Sequence, residues 1–117
     1  MSYITIFLSA LVALEHLYIM FLETIATSSG ATSRTFGMSR EALSEHQINT
    51  LFKNQGVYNG LLAVLLAIAL WQGDILWTRL LLGYVILVAV YGSMTSNPKI
   101  ILKQGGLAVL ALVSTFF

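Results

Sequence analysis

Cysteine is absent from the 117-residue chain, which excludes disulfides, thiolate metal sites and cysteine nucleophiles, and says nothing about compartment because such a chain needs none of them. Charge is nearly as scarce. Charged residues make up 9% of the sequence, with six Lys and Arg against five Asp and Glu. A net charge of +1 provides no basic field for nucleic acid, and no such partner is expected. Proline occurs once, so long helices are rarely interrupted. No alternating apolar and polar run suggests a strand, no Gly-rich phosphate cradle is visible, and the Ser and Thr residues of the longest polar interval lack a nearby base in a nucleophile context, so hydrolase and nucleotide-binding readings find no support. The N-terminus also lacks a basic n-region and an A-x-A cleavage signal, and its apolar run is expected to be an uncleaved first span.

What fills the chain instead is hydrocarbon. Hydrophobic residues account for 57% of it and mean hydropathy is +0.84, well outside the soluble range. Four apolar segments stand out, at about residues 3–26, 52–71, 76–94 and 100–117. A run of about 20 apolar residues crosses a bilayer, and short links favour antiparallel neighbours. The fold expected is therefore all-α: one integral membrane domain over 1–117, an antiparallel four-helix transmembrane bundle. The interval after the first segment is the one sizeable loop. From Ser39, a possible cap, it places Leu43, Gln47, Ile48, Leu51 and Phe52 at helical spacing, which predicts a short amphipathic helix at the interface running into the second span, in preference to a simple early extension of that span. The later links are QGDILWT and SNPK, and Pro98 of the latter cannot continue a helix.

Orientation follows from basic residues in the short loops. Arg34, Arg40, Lys53, Lys99 and Lys103 lie on one side and only Arg79 on the other. Both termini are thus expected outside a plasma (inner) membrane, with the long loop in the cytoplasm. Trp71 and Trp77 then fall at the outer interface, where amphipathic rings are favoured.

Glu15, His16 and Glu23 lie inside the first apolar run, and ionisable groups there need a partner or a wet cavity. At about 1.5 Å rise per residue, His16, Asn59, Tyr91 and Gln104 lie about 20, 18, 21 and 20 Å from the outer ends of their spans. Glu15 and Lys103 share that level, while Gln55, Thr95 and Glu23 form a second layer nearer the cytoplasm. His16 and Glu23 are seven residues apart, on nearly the same face with Met20 between them, and Gln55 and Asn59 share a face of the second span. One reading is a pocket in which His16 and Glu23 take a proton, a cation or a ligand and the amides orient it. The plainer reading is hydrogen-bonded glue between helices, with Glu15 paired to Lys103. Gly56 and Gly60 form a GxxxG that brings helices close, within the bundle or across a homodimer, and the first use is preferred. Gly92, Gly105 and Gly106 suggest similar close packing of the last two spans. His16, Glu23, Glu15 and His46 are nitrogen and oxygen donors without an HxxxH or HExxH, so no metal site is expected. No cofactor is indicated.

HLYIMFLE with His16 and Glu23, Phe36 with Gly37, NQGVYNG from Asn54 through Tyr58 to Gly60, YGSMT with Tyr91 and Thr95, and Gln104 with Gly105 together resemble the domain-of-unknown-function 1304 family of small bacterial membrane proteins. The resemblance spans essentially the whole chain and implies a four-span membrane protein without an assigned activity. A looser similarity links the arrangement to DoxX-like four-helix proteins and to membrane sterol isomerases, through acidic and histidine side chains facing a cavity. The candidate ligand-binding residues are His16, Glu23, Asn59, Gln55, Tyr91, Gln104, Glu15, Asn54, Tyr58 and Thr95. Three functions remain open: binding or transport of a small polar or amphiphilic molecule, which is preferred, acid–base catalysis on a lipid-like substrate, or a structural or regulatory membrane subunit.

Overall fold

The first apolar run forms α1 (Tyr3–Met20), which passes directly into a π-helical segment (Phe21–Ile25). The computed structural model describes residues 1–95, 102 and 104–117. All regular structure among them is helical. Beyond the π segment come α2 (Gly30–Phe36), α3 (Arg40–Ser44), α4 (His46–Gln72), α5 (Ile75–Thr95) and α6 (Gly106–Ser114).

Several boundaries have a local chemical cause. Ser29 accepts from the Thr32 amide at 3.2 Å to start α2, and Gly37, at φ 65°, closes it in the left-handed conformation that favours glycine. Ser39 accepts from the Ala42 amide at 3.1 Å to start α3, as the sequence predicts. The amphipathic segment is split at Glu45: Leu43 lies in α3, whereas Gln47, Ile48, Leu51 and Phe52 belong to α4 and run on unbroken into the second span. Glu45 adopts an extended conformation, and its carboxylate accepts from the amides of Gln47 and Ile48 at 3.2 and 3.1 Å. That cap ends α3 after five residues and starts α4 at His46, six residues before the expected start. Gly73, at φ 66°, and Asp74, which accepts from the Trp77 amide at 3.1 Å, turn α4 into α5.

α1 with the π segment, α4 and α5 are each long and apolar enough to cross a membrane. Of their most apolar stretches only 28%, 22% and 22% is buried within the protein. Apolar side chains therefore face outward along most of each helix, opposite to the pattern of a water-soluble domain. The fourth expected span, residues 100–117, is described in part. Its helix α6 has nine residues, about 13 Å, too short by itself for a hydrocarbon core of about 30 Å. The SNPK turn and Lys103 lie outside the described residues.

The described chain divides into two units. In the unit made of residues 1–13 and 64–117, α5 packs on α6. Thr78, Leu82, Val85 and Ala89 form a buried stripe on α5, and α6 contributes Ala108 and Ala111. Such small residues allow helix backbones to approach closely. Thr5 and Ser114 hydroxyls meet at 2.9 Å. Arg79 donates to the Thr115 hydroxyl at 3.0 Å and to its carbonyl at 2.9 Å, with the guanidinium 4.1 Å from the centre of the Phe116 ring. Gly106 serves no close approach, because a Cβ there would meet open space. In the unit spanning residues 14–63, the end of the first helix is covered by α2, and the Phe36 ring meets Phe52 edge-on at 5.2 Å.

Candidate functional site

Within residues 14–63, the first helix and α4 touch through glycine. A Cβ at Gly56 would run into the Thr24 hydroxyl and lie 3.0 Å from the Thr24 amide nitrogen, and one at Gly60 would lie 2.9 Å from Cγ of Met20. The GxxxG of the second span is thus used inside the protein. Only a hydrogen fits at position 56.

That closeness brings Asn59 onto Glu23. The Asn59 amide donates to Oε1 of Glu23 at 2.6 Å, and Glu23 is 1% exposed. A carboxylate so buried is costly unless its oxygens are hydrogen-bonded, and a short bond to it is stronger than one between neutral groups. His16 is buried to the same degree. Glu15 is half-buried, and among the described residues its Oε1 meets no hydrogen-bond donor.

Glu23 sits in the middle of the π segment, whose wider turn closes with the Ala26 amide donating to the Phe21 carbonyl at 2.9 Å. The end of a helix leaves carbonyls without amide partners. Side chains supply them here. Thr27 donates to the Glu23 carbonyl at 2.7 Å, and the Thr32 hydroxyl lies 2.9 and 2.6 Å from the carbonyls of Leu22 and Ala26. Lys53 donates to the Thr24 carbonyl at 3.0 Å and to the Thr27 hydroxyl at 3.2 Å, while Thr24 donates back to the Lys53 carbonyl at 3.0 Å. An ammonium at a helix C-terminus also complements the negative end of the helix dipole. From α4, Asn59 therefore holds the Glu23 side chain and Lys53 holds the backbone that follows it.

The other candidate residues are placed differently. Asn54, Gln55 and Tyr58 flank the contact stripe of α4 and are exposed. Tyr91, Thr95 and Gln104 belong to the other unit. Tyr91 is exposed, the Thr95 hydroxyl donates to the Tyr91 carbonyl of its own helix at 2.9 Å, and Gln104 is half-buried. The suggested partner of Glu15, Lys103, lies outside the described residues. Among the described residues, no three His, Asp or Glu side chains come together in a metal-binding group. Thr27, Thr32 and Lys53 were not expected near the site. Their signal in the sequence is a run of hydroxyl residues, beginning TSS, directly after an apolar helix, where orphan carbonyls need donors.

Three helices long and apolar enough to cross a membrane, and a buried carboxylate held by an amide from a neighbouring helix, define an all-α protein compatible with a membrane. The chain belongs to the family described as Protein of unknown function (DUF1304), whose model matches residues 10–116. This bears out the resemblance carried by HLYIMFLE and NQGVYNG. The chain is also similar to "Uncharacterized protein YpaA" of Lactococcus lactis subsp. lactis (strain IL1403), 60% identical over 119 residues that cover 100% of both chains. No solved structure matches it.

Proposed function

We propose that this is a multi-pass protein of the plasma membrane, a four-span bundle with both termini outside, and that it binds or transports a small polar or amphiphilic molecule at a site around Glu23 in its cytoplasmic half. The single observation that carries this reading is the Glu23–Asn59 bond, 2.6 Å long at a residue 1% exposed. An ionisable group inside a membrane span is costly, and functional sites are the usual reason for keeping one. His16, equally buried and on the same helix, is the second residue of the site. The surrounding bilayer is the first partner of this protein, and a homodimer is its candidate assembly.

Native mass spectrometry of the full-length chain, extracted from its own membrane in mild detergent, tests the proposal. Wild-type protein is expected to carry a small-molecule adduct. Glu23→Gln retains an oxygen for Asn59 and loses the charge, so it should melt close to wild type yet emerge without the adduct, and His16→Ala should weaken retention. Identical adducts on wild type and Glu23→Gln refute the site.

A further inference from the structure

A groove of about 270 Å³ opens between α4 and α5 beside their connecting turn, in the unit formed by residues 1–13 and 64–117. Leu65 and Ile68 line it from α4, Trp77 and Leu81 from α5, and its turn end carries Gln72 and Asp74. From Gln72 to Leu65 the helix descends about 10 Å, so the walls are apolar over a depth that matches the upper part of an acyl chain. A dry apolar cavity of about 150 Å³ already takes benzene. This groove accommodates a longer hydrocarbon segment and is smaller than most pockets that enclose a whole ligand.

The polar end distinguishes among headgroups. One oxygen of Asp74 caps α5 through the Trp77 amide, and a carboxylate retains further acceptor capacity beyond one such bond. Among the described residues no cation pairs with Asp74. The nearest cation in the sequence, Arg79, is engaged by Thr115 and lies over the Phe116 ring. Among the described residues the mouth of the groove therefore carries a negative charge without a paired cation, beside the 56%-exposed ring of Trp77, which is the combination that attracts an ammonium group. An anionic headgroup would meet like charge there.

We propose that the α4–α5 groove is a binding site for a membrane lipid with an ammonium headgroup, its acyl chain between Ile68 and Leu81 and its ammonium between Asp74 and Trp77. This rests on the membrane reading above, though not on the Glu23 site. The test is titration of the purified full-length chain, by native mass spectrometry, with phosphatidylethanolamine and phosphatidylglycerol of identical acyl chains. Phosphatidylethanolamine is expected to bind saturably and about tenfold or more tightly than phosphatidylglycerol, the size of one hydrogen bond to a charged group. Asp74→Asn keeps an oxygen for the Trp77 amide and removes the charge, so it should erase the preference. Ile68→Trp, which fills the groove, should weaken both lipids. Equal binding of the two lipids to wild type, a preference that survives Asp74→Asn, or binding of neither lipid overturns the proposal. Carbonate extraction separates the two readings. A chain that stays in washed membranes without a headgroup preference overturns the groove alone, and one released by carbonate overturns membrane insertion itself.

Discussion

Two glycines four residues apart have unequal importance. At Gly56 an added methyl meets the Thr24 hydroxyl, which is held by the Lys53 carbonyl, and the backbone of the opposing helix, whereas at Gly60 it meets Cγ of the unbranched Met20 side chain. Gly56→Ala is expected to cost about 1–3 kcal/mol, as overpacking of a close contact does. Gly60→Ala should cost less than Gly56→Ala, because Met20 can rotate about its side-chain bonds and alanine's better helix propensity, about 1 kcal/mol, offsets part of that rearrangement. Thermal melting in detergent checks the ordering. Asn59→Leu removes the donor to a buried carboxylate and is expected to destabilise by about 1–3 kcal/mol, with Glu23→Gln in the same background restoring part of the loss because the uncharged side chain is cheaper to bury. Isolated polar residues in apolar runs mark Glu23 and Asn59 as candidates from sequence alone. Their pairing does not follow from periodicity, since the extra residue in a π turn rotates everything beyond it relative to an uninterrupted α-helix.

At the scale of elements, the caps explain where the helices end. Thr32 is fully buried and its hydroxyl faces two carbonyls at the close of the π segment. Thr32→Val conserves shape and removes that donor, so a loss of about 1–3 kcal/mol is expected. A Thr32→Val protein as stable as wild type in a melting experiment would contradict the capping role. Glu45→Ala should cost about 0.5–2 kcal/mol by removing the cap of α4. Three of the expected apolar runs fall on observed helices: residues 3–26 on Tyr3–Ile25, 76–94 on Ile75–Thr95, and 52–71 within His46–Gln72, which starts six residues earlier. The break before α4 was less legible because Glu45 caps that helix by adopting an extended conformation directly after helical residues, a local competition that hydrophobic spacing, which already reads as helical through Gln47 to Phe52, does not register.

For the molecule as a whole, the governing fact is that apolar surface faces outward along three long helices. Surface of that kind is stable against lipid and aggregates in water. The proposed topology has a direct check, since the chain lacks cysteine and any introduced thiol is unique. Thr35→Cys in the long loop and Phe117→Cys at the C-terminus, both at exposed positions, are expected to react with a membrane-impermeant maleimide from opposite sides, the first from the cytoplasm. Labelling of both from one side would remove the basis for a cytoplasm-facing site.

The sequence by itself determined the material and its division: a hydrocarbon-rich chain with few charges has to form helices whose backbones satisfy their own hydrogen bonds, and the length of each apolar run sets where most of them begin and end. It also singled out the ionisable residues that such an environment makes expensive. Only the tertiary structure decided which of them meet. Asn59 reaches Glu23 because Gly56 lets two helices approach within a hydrogen's width, and Lys53 and two threonines hold the π turn that aims the carboxylate. Those are matters of rotation and distance between segments about 30 residues apart, and no local pattern in either segment encodes them.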